Sequence, residues 1–203
     1  MIKGFILDFD GVIIDTNNYH FLSWKKSLKD FDINFTESDY EEIKGLSRLL
    51  SVDYLSSVHK VIESNKQNLL KKKNDIYLKL IESVSSDDLM YGVKDFLITY
   101  GKSKLGVASS SKNAKYILKK IKCDHYFDVI VDANDIPESK PNPNVFLKCS
   151  ELLGLKPFQC VVFEDSEKGL LASQKGGFIS YLVGNKKISH LTNNYIDNLT
   201  LYK

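Results

Sequence analysis

The sequence predicts an α/β fold, in which a parallel β-sheet carries helices on both faces and is interrupted by an all-helical insertion. Apolar runs of strand length recur along the chain, and segments with the spacing of amphipathic helices fill most of the gaps between them. This alternation is typical of a parallel sheet, because each connection has to cross the sheet and usually does so as a helix. Residues 16–90 break the pattern, since their spacing is helical throughout. We therefore expect a core domain of residues 1–15 and 91–203 and an inserted helical domain of residues 16–90.

The core is expected to contain five strands, one before the insertion and four after it. They cover residues 3–8, 104–109, 128–132, 160–164 and 178–183. Apolar residues at helical spacing predict helices over residues 111–121 and 143–154, and Gly154 suits the end of the second helix.

The insertion is expected to form four helical stretches, with breaks at Gly45 and at residues 87–88. The stretches cover residues 17–30, 37–44, 48–58 and 64–84. Because the insertion begins soon after a pair of acidic residues, hinges near residues 14–17 and 85–91 would let it close over that pair as a cap.

Composition points to a small-molecule partner. The 203 residues include 28 basic and 26 acidic ones, and the formal net charge of +2 creates no strong field for nucleic acid or an anionic membrane. We expect the chain to act as a monomer.

Three cysteines without C-x-x-C spacing favour neither a zinc site nor a disulfide framework, and Cys149 and Cys160 are expected to be buried thiols. With no signal peptide and no apolar run long enough for a bilayer, we expect a reducing cytoplasm.

Two carboxylates one residue apart follow the first predicted strand. In an extended segment, residues two apart project to the same side, so Asp8 and Asp10 would face the same space beyond the sheet edge. Adjacent carboxylates repel each other unless a cation lies between them or one is protonated. Taken alone, this short motif is more simply explained as a solvated strand end before a turn at Gly11.

Further polar residues follow in a definite order. Ser109 ends the second strand, Lys140 precedes a proline, and Glu164 and Asp165 close the fourth strand. The carboxyl ends of parallel strands meet at one edge of the sheet, where such folds bind their ligands. Together with the first acid pair, these motifs resemble the haloacid dehalogenase-like hydrolase superfamily. The resemblance implies a Rossmann-like core with an inserted helical cap.

The predicted cap carries polar residues whose roles spacing alone does not decide. Lys73 lies in the apolar stripe that residues 69–84 would present on one side of a helix. Its ammonium either reaches past its neighbours to solvent or points at an anionic ligand beneath the cap. His20 and Trp24 share a helix face, an arrangement that core packing also explains. The Arg48 guanidinium suits a phosphate that is not being transferred, and an exposed surface arginine is the alternative.

Five segments taken together resemble the beta-phosphoglucomutase family, over nearly the whole chain from residue 5 to about 184. The segments are residues 15–25, 44–48, 73–77, 108–113 and 140–143. The cap segments distinguish this family from generic phosphatases of the superfamily, which share only the core motifs. The chain departs from the family pattern at Tyr91, where proline is usual, and in the loop of residues 100–104, which is a residue or two short.

The resemblance implies a Mg²⁺-dependent isomerase that interconverts beta-D-glucose 1-phosphate and glucose 6-phosphate through glucose 1,6-bisphosphate. It implies that Asp8 becomes an aspartyl phosphate and that Asp10 is the general acid and base. It assigns the transferring phosphate to Ser109 and Lys140. It assigns Mg²⁺ to Asp8, Asp10, Glu164 and Asp165, with Asp10 acting through its backbone carbonyl. It assigns the substrate to Thr16, His20, Trp24, Gly45, Leu46, Arg48, Ser51, Lys73, Ser111, Lys112 and Asn113.

Two other functions would use the same residues. A sugar-phosphate phosphatase of the superfamily would employ Asp8 and Asp10 but pass the phosphoryl group to water, and the sequence separates it from a mutase only through the cap. A non-catalytic sugar-phosphate-binding module is the second alternative, although binding does not need both a nucleophile and an acid–base group.

Overall fold

The computed structural model describes residues 1–202, apart from the side chain of Val61, and confirms the predicted α/β fold. Its strands are β1 (Gly4–Leu7), β2 (Lys104–Ala108), β3 (Val129–Val131), β4 (Cys160–Glu164), β5 (Ile179–Val183) and β6 (Tyr195–Ile196). These six strands form one parallel sheet in the order β3-β2-β1-β4-β5-β6. The five predicted strands are confirmed to within one residue at each end. The sequence did not predict β6, because a two-residue strand that pairs through its backbone has no periodicity to detect.

The insertion of residues 16–90, which lies between β1 and β2, is helical, as expected. Its helices are α1 (Asn17–Leu28), α2 (Glu37–Ile43), α3 (Arg48–Val58) and α4 (Lys66–Leu80). They enclose an apolar cluster that consists of Trp24, Leu28, Phe35, Ile43, Val52, Leu55, Ile62 and Leu69. All members of this cluster lie within residues 16–90, which suits a cap with a core of its own. The boundaries of the two domains stay a prediction.

Two of the predicted helical stretches are shorter than their apolar spacing indicates. The first was expected to reach residue 30, but α1 ends at Leu28 and the chain continues as a 3₁₀ turn over Lys29–Phe31. This turn closes at Asp32, whose φ of 55° is left-handed and stops the helix. Likewise, α4 covers only the middle of residues 64–84, because 3₁₀ turns flank it on both sides.

Helices cover both faces of the sheet, and β1 shows why. Phe5 and Leu7 belong to an apolar cluster on one face, whereas Ile6 belongs to a second cluster on the other. Four further helices are α5 (Val93–Tyr100), α6 (Ala114–Lys120), α7 (Asn144–Leu152) and α8 (Glu167–Lys175). The helices α5 and α6 contribute to the first cluster, and α7 and α8 contribute to the second.

The sheet order brings three strand ends to one edge. Asp8 follows β1, Ser109 follows β2, and Glu164 is the last residue of β4, with β1 lying between the other two strands. Ser166 then begins α8 by accepting a hydrogen bond from the backbone of Gly169. The acid-bearing turn after β4 is therefore fixed by a helix cap.

All three cysteines are free and buried, which confirms the prediction for Cys149 and Cys160. No helix in the described part of the chain has the length and hydropathy needed to cross a membrane.

Candidate active site

A buried lysine lies between two of the strand-end acids. Lys140 is in the loop between β3 and α7, and its Nζ is 2.5 Å from Asp8 Oδ1. The same ammonium forms an ion pair with Glu164. Lys140 is only 1% exposed. Burial acts to lower the pKa of Lys140, but attraction by Asp8 and Glu164 outweighs it and raises that pKa, so the lysine stays protonated.

Three carboxylates converge beside this lysine. One oxygen each from Asp8, Glu164 and Asp165 lies within 4.8 Å of the others. Burial, and after it repulsion by Glu164, raises the pKa of Asp8 well above its usual value. Burial also raises the pKa of Asp165 to about 6, against the attraction of Lys44. An all-oxygen donor set with this concentration of negative charge fits a hard divalent cation.

Two glycines make room for these carboxylates. A Cβ atom at Gly11 would overlap the carboxylate of Asp165, and one at Gly169 would overlap that of Glu164. Gly11 also has a φ of +88°, which L side chains rarely adopt. The backbone is therefore shaped around the acid cluster, which supports a built cation site.

Asp10 is held apart from this cluster. Its carboxylate accepts a hydrogen bond from the hydroxyl of Thr16, and its Oδ1 lies 3.4 Å from His20 Nε2. Burial acts to raise the pKa of Asp10, but His20 and Thr16 outweigh it and lower that pKa. The pKa values of Asp8 and Asp10 thus move in opposite directions, which suits two separate chemical roles. The contact predicted between the Asp10 backbone carbonyl and a metal stays a prediction.

Lys73 lies in α4 of the cap and is buried, with only 3% of the residue exposed. Its Nζ lies 2.8 Å from His20 Nδ1, and 5.4 Å and 4.6 Å from the ring centroids of Trp24 and Tyr77. The alternative in which this lysine reaches solvent is therefore wrong. Burial, and after it repulsion by Arg48, lowers the pKa of Lys73 to about 7.

His20 connects this lysine to the acid–base candidate. Its Nδ1 faces Lys73 and its Nε2 faces Asp10, and the ring stacks on Tyr77 with centroids 4.2 Å apart. Burial, and after it Lys73, lowers the pKa of His20, so the imidazole is neutral near pH 7. His20 therefore lies between Lys73 and the acid–base candidate.

One cavity joins the acids to the cap. Its empty space is about 670 Å³ with open solvent at the mouth included. The predicted site residues that line it are Asp8, Asp10, His20, Trp24, Gly45, Leu46, Arg48, Ser51, Lys73, Ser111, Lys112, Asn113, Lys140 and Asp165. Three predicted residues do not line this cavity. Thr16 bonds to Asp10, Glu164 bonds to Lys140, and the hydroxyl of Ser109 accepts a hydrogen bond of 3.0 Å from the backbone of Ser111.

The cavity also has lining residues that were not predicted. They are Asn17, Tyr40, Ile43, Lys44 and Ser110. Lys44 Nζ lies 2.7 Å from Asp165 Oδ2, so the helical insertion contributes a cation to the acid cluster. Burial acts to lower the pKa of Lys44, but the attraction of Asp165 outweighs it and raises that pKa.

The insertion is closed on the core in this structure. The backbone N–H of Ser47 donates to Ser139 Oγ at 2.7 Å, and Asn113 Nδ2 donates to Asn74 Oδ1 at 3.1 Å. Arg48, which directly follows Ser47, is thereby brought to the same cavity as Asn113. The cavity has acids and Lys140 in the core and further cations on the cap.

Comparisons with known proteins agree with this geometry. The model of the haloacid dehalogenase-like hydrolase family matches residues 5–183. The beta-phosphoglucomutase of Bacillus subtilis strain 168 is 35% identical over 189 residues, which cover 90% of this chain and 84% of that protein. Fructose-1-phosphate phosphatase YqaB of Escherichia coli K12 is 29% identical over 182 residues, or 86% of this chain and 92% of that protein.

The fold is also that of a solved relative. The crystal structure of beta-phosphoglucomutase PgmB from Clostridium difficile superposes with a TM-score of 0.93 at 32% sequence identity, covering 100% of this chain and 94% of that one. The chain therefore belongs to the haloacid dehalogenase-like hydrolase family, in which it is related to beta-phosphoglucomutases.

Proposed function

We propose that this enzyme is a Mg²⁺-dependent beta-phosphoglucomutase, which interconverts beta-D-glucose 1-phosphate and glucose 6-phosphate through beta-glucose 1,6-bisphosphate. The observation that carries the proposal is the charge distribution of the cavity. Asp8 and Lys140 lie in the core, whereas Arg48 and Lys73 line the same cavity from the cap. A bisphosphate is anionic at both ends, so a site that binds it needs cations on both sides.

Asp8 is the proposed nucleophile. One of its carboxylate oxygens attacks phosphorus, an Oδ–P bond forms, and the bond between phosphorus and the sugar oxygen breaks. The product is an aspartyl phosphate and a free sugar hydroxyl. Lys140, at 2.5 Å from Asp8, and Ser109 would donate hydrogen bonds to the phosphoryl oxygens, where negative charge increases during transfer.

Asp10 is the proposed general acid and base. When the aspartyl phosphate transfers its group to the sugar, the carboxylate of Asp10 takes the proton from the attacking hydroxyl, and in the reverse direction it returns that proton to the leaving oxygen. Its lowered pKa fits the form that accepts a proton. The contacts with Thr16 and His20 hold the carboxylate away from the acid cluster.

A Mg²⁺ ion would be held by Asp8, Glu164 and Asp165, with the backbone carbonyl of Asp10 as a further ligand. When bound, it supplies positive charge that neutralises the transferring phosphoryl group.

Arg48 of the cap and two residues that follow β2 in the core would bind the other end of the substrate. The Arg48 guanidinium can bind a phosphate through two parallel hydrogen bonds, and Lys112 and Asn113 lie in the same cavity. With one phosphate held there, the sugar presents its other end to Asp8. After the first transfer, the bisphosphate has to turn over so that the second phosphate meets Asp8.

A sugar-phosphate phosphatase is the second candidate, and the similarity to a fructose-1-phosphate phosphatase favours it. Asp8 and Asp10 would act in the same way, with water as the acceptor. We further propose that the enzyme acts as a monomer and that it is located in a reducing cytoplasm, and the buried free thiols support this location.

One assay separates the two candidates. Purified protein is incubated with Mg²⁺, beta-glucose 1-phosphate and a trace of beta-glucose 1,6-bisphosphate, and the products are followed by ³¹P NMR. The mutase proposal predicts glucose 6-phosphate with little free phosphate, whereas free phosphate without glucose 6-phosphate would establish the phosphatase. Asp8→Ala serves as the control and should give neither product.

A further inference from the structure

Asn17 and Tyr40 form a polar pair in the wall of the cavity. The Tyr40 hydroxyl donates to Asn17 Oδ1 at 3.2 Å, and both side chains line the cavity together with Asp10. Asn17 is the first residue of α1, and Tyr40 lies in α2. Neither residue has a role in the phosphoryl transfer described above.

Tyr40 is fixed by packing, while its hydroxyl stays available to a ligand. Its ring packs against the apolar cluster of the insertion, with its centroid 6.0 Å from that of Phe21. Burial, and after it the carboxylates of Asp10 and Asp165, raises the pKa of Tyr40 well above its usual value. The phenol is therefore neutral, and its proton is committed to Asn17. Its oxygen keeps lone pairs that can accept a hydrogen bond.

The amide of Asn17 is oriented by this contact. With Oδ1 bound by Tyr40, the amide nitrogen points the other way, and it lies 2.9 Å from where a Cβ atom of Gly11 would stand. The nitrogen thus lies beside the turn that follows Asp10. Within residues 1–202, this NH₂ group donates no hydrogen bond to another residue. The pair therefore offers one donor and one acceptor side by side.

We propose that Asn17 and Tyr40 recognise two neighbouring hydroxyl groups of the sugar ring, a role that rests on the proposed function. Asn17 Nδ2 donates to one hydroxyl oxygen, and the Tyr40 oxygen accepts the proton of the next hydroxyl. The charged groups of the cavity suit the phosphates of the substrate. An amide and a phenol are neutral, and they suit the neutral sugar ring that lies between the two phosphates. The pair lies beside Asp10, where the ring has to be during transfer.

The test compares a substrate with analogues that lack single hydroxyls. We expect Asn17→Ala to lower kcat/KM for beta-glucose 1-phosphate by about fivefold or more, as for a lost hydrogen bond. Among the 2-deoxy, 3-deoxy and 4-deoxy analogues, the one that lacks the contacted hydroxyl should be insensitive to this substitution, because its partner is already missing. Tyr40→Phe keeps the ring and should lower kcat/KM by about threefold, and the analogue insensitive to it should be the one that lacks the neighbouring hydroxyl.

Asn18→Ala is the matched control, since Asn18 is the next residue of α1, is exposed and does not line the cavity. It should behave as the wild type with every analogue. If Asn17→Ala lowers kcat/KM by the same factor for beta-glucose 1-phosphate and for all the analogues, the proposal is overturned. An equal loss in the rate of aspartyl phosphate formation from acetyl phosphate, which has no sugar, would overturn it as well. Wild-type kinetics in both Asn17→Ala and Tyr40→Phe would overturn it as well.

Failure of the mutase proposal is recognised separately. In that outcome, the wild type releases phosphate from beta-glucose 1-phosphate without forming glucose 6-phosphate. The kcat/KM of the wild type and of Asn17→Ala is then measured for each deoxy analogue by the release of phosphate. The selectivity of Asn17→Ala then supports or overturns sugar recognition independently of the acceptor.

Discussion

Replacing Lys73 with Met should make the protein more stable below about pH 7. Methionine keeps the length and the apolar packing of the lysine stem. It removes an amine that is 3% exposed and whose pKa burial lowers from 10.5 to about 7. The amine touches His20 and two aromatic rings, and no carboxylate within residues 1–202 forms an ion pair with it. The folded state therefore holds an ammonium without full compensation.

The magnitude follows from the two pKa values of Lys73. The unfolded chain keeps this proton up to about pH 10.5, whereas the folded protein releases it near pH 7. The pKa values of the unfolded and folded states differ by about 3.5. At about 1.4 kcal/mol per unit of pKa difference, burying the charge costs the folded state about 5 kcal/mol. Below pH 7 both states bind the proton and the full cost is present. As the pH rises above 7, the cost falls, so wild-type stability increases relative to that of the variant.

Urea unfolding of both proteins at pH 6, 7, 8 and 9 measures this difference. With about 1 kcal/mol allowed for the lost hydrogen bond between the amine and His20, the free energy of unfolding of Lys73→Met should exceed that of the wild type by about 4 kcal/mol at pH 6 and by about 1 kcal/mol at pH 9. Lys71→Met is the control, because Lys71 is exposed and pairs with Asp75 at the surface, and its difference from the wild type should not change with pH. A Lys73→Met difference that stays constant from pH 6 to 9 would refute the reasoning.

Three further predictions concern the binding of the non-transferring phosphate by Arg48, the packing of the acid cluster and the divalent cation. Arg48→Ala should raise KM for beta-glucose 1-phosphate about tenfold or more, because a charge-assisted contact is lost, and should leave aspartyl phosphate formation from acetyl phosphate nearly unchanged; comparable losses in the two assays would contradict its role. Gly169→Ala should lower the melting temperature by several degrees in a thermal scan, because the new Cβ overlaps the Glu164 carboxylate and such overpacking costs about 1–3 kcal/mol. An unchanged melting temperature would contradict the close packing of Gly169 against the Glu164 carboxylate. Removing divalent cations with EDTA should abolish turnover in the coupled glucose 6-phosphate assay, and added Mg²⁺ should restore it; full activity in EDTA would argue against a cation at the carboxylates.

The core half of the site follows from the sequence for a simple geometric reason. Strand ends in a parallel sheet meet at one edge, so Asp8 and Glu164 were expected at the same edge once their strands were identified. The pairing of β1 with β4, which makes them neighbours, comes from the structure. The buried contact between Lys140 and both acids was not deducible in this way, because Lys140 lies in a loop whose path depends on tertiary packing.

The cap half depends on packing that one sequence does not reveal. Spacing placed Lys73 in an apolar stripe, but whether its ammonium faced solvent or the site was decided by the packing of α4 against α1. Tyr40 was missed because α2 has only seven residues, too few for its buried side to be identified from periodicity. The pairing of Lys44 with Asp165 was missed because it joins segments that are far apart in the chain.

The most direct measurement of the central claim follows the phosphoryl group from Asp8. The enzyme is labelled at Asp8 with a ³²P-phosphoryl donor, and the label is chased with beta-glucose 1-phosphate or with buffer alone. Transfer to a sugar acceptor predicts that the label appears in beta-glucose bisphosphate and leaves the enzyme much faster with the sugar phosphate than without it. Label released as free phosphate at the same rate in both chases would contradict the claim, and Asp8→Asn should take up no label.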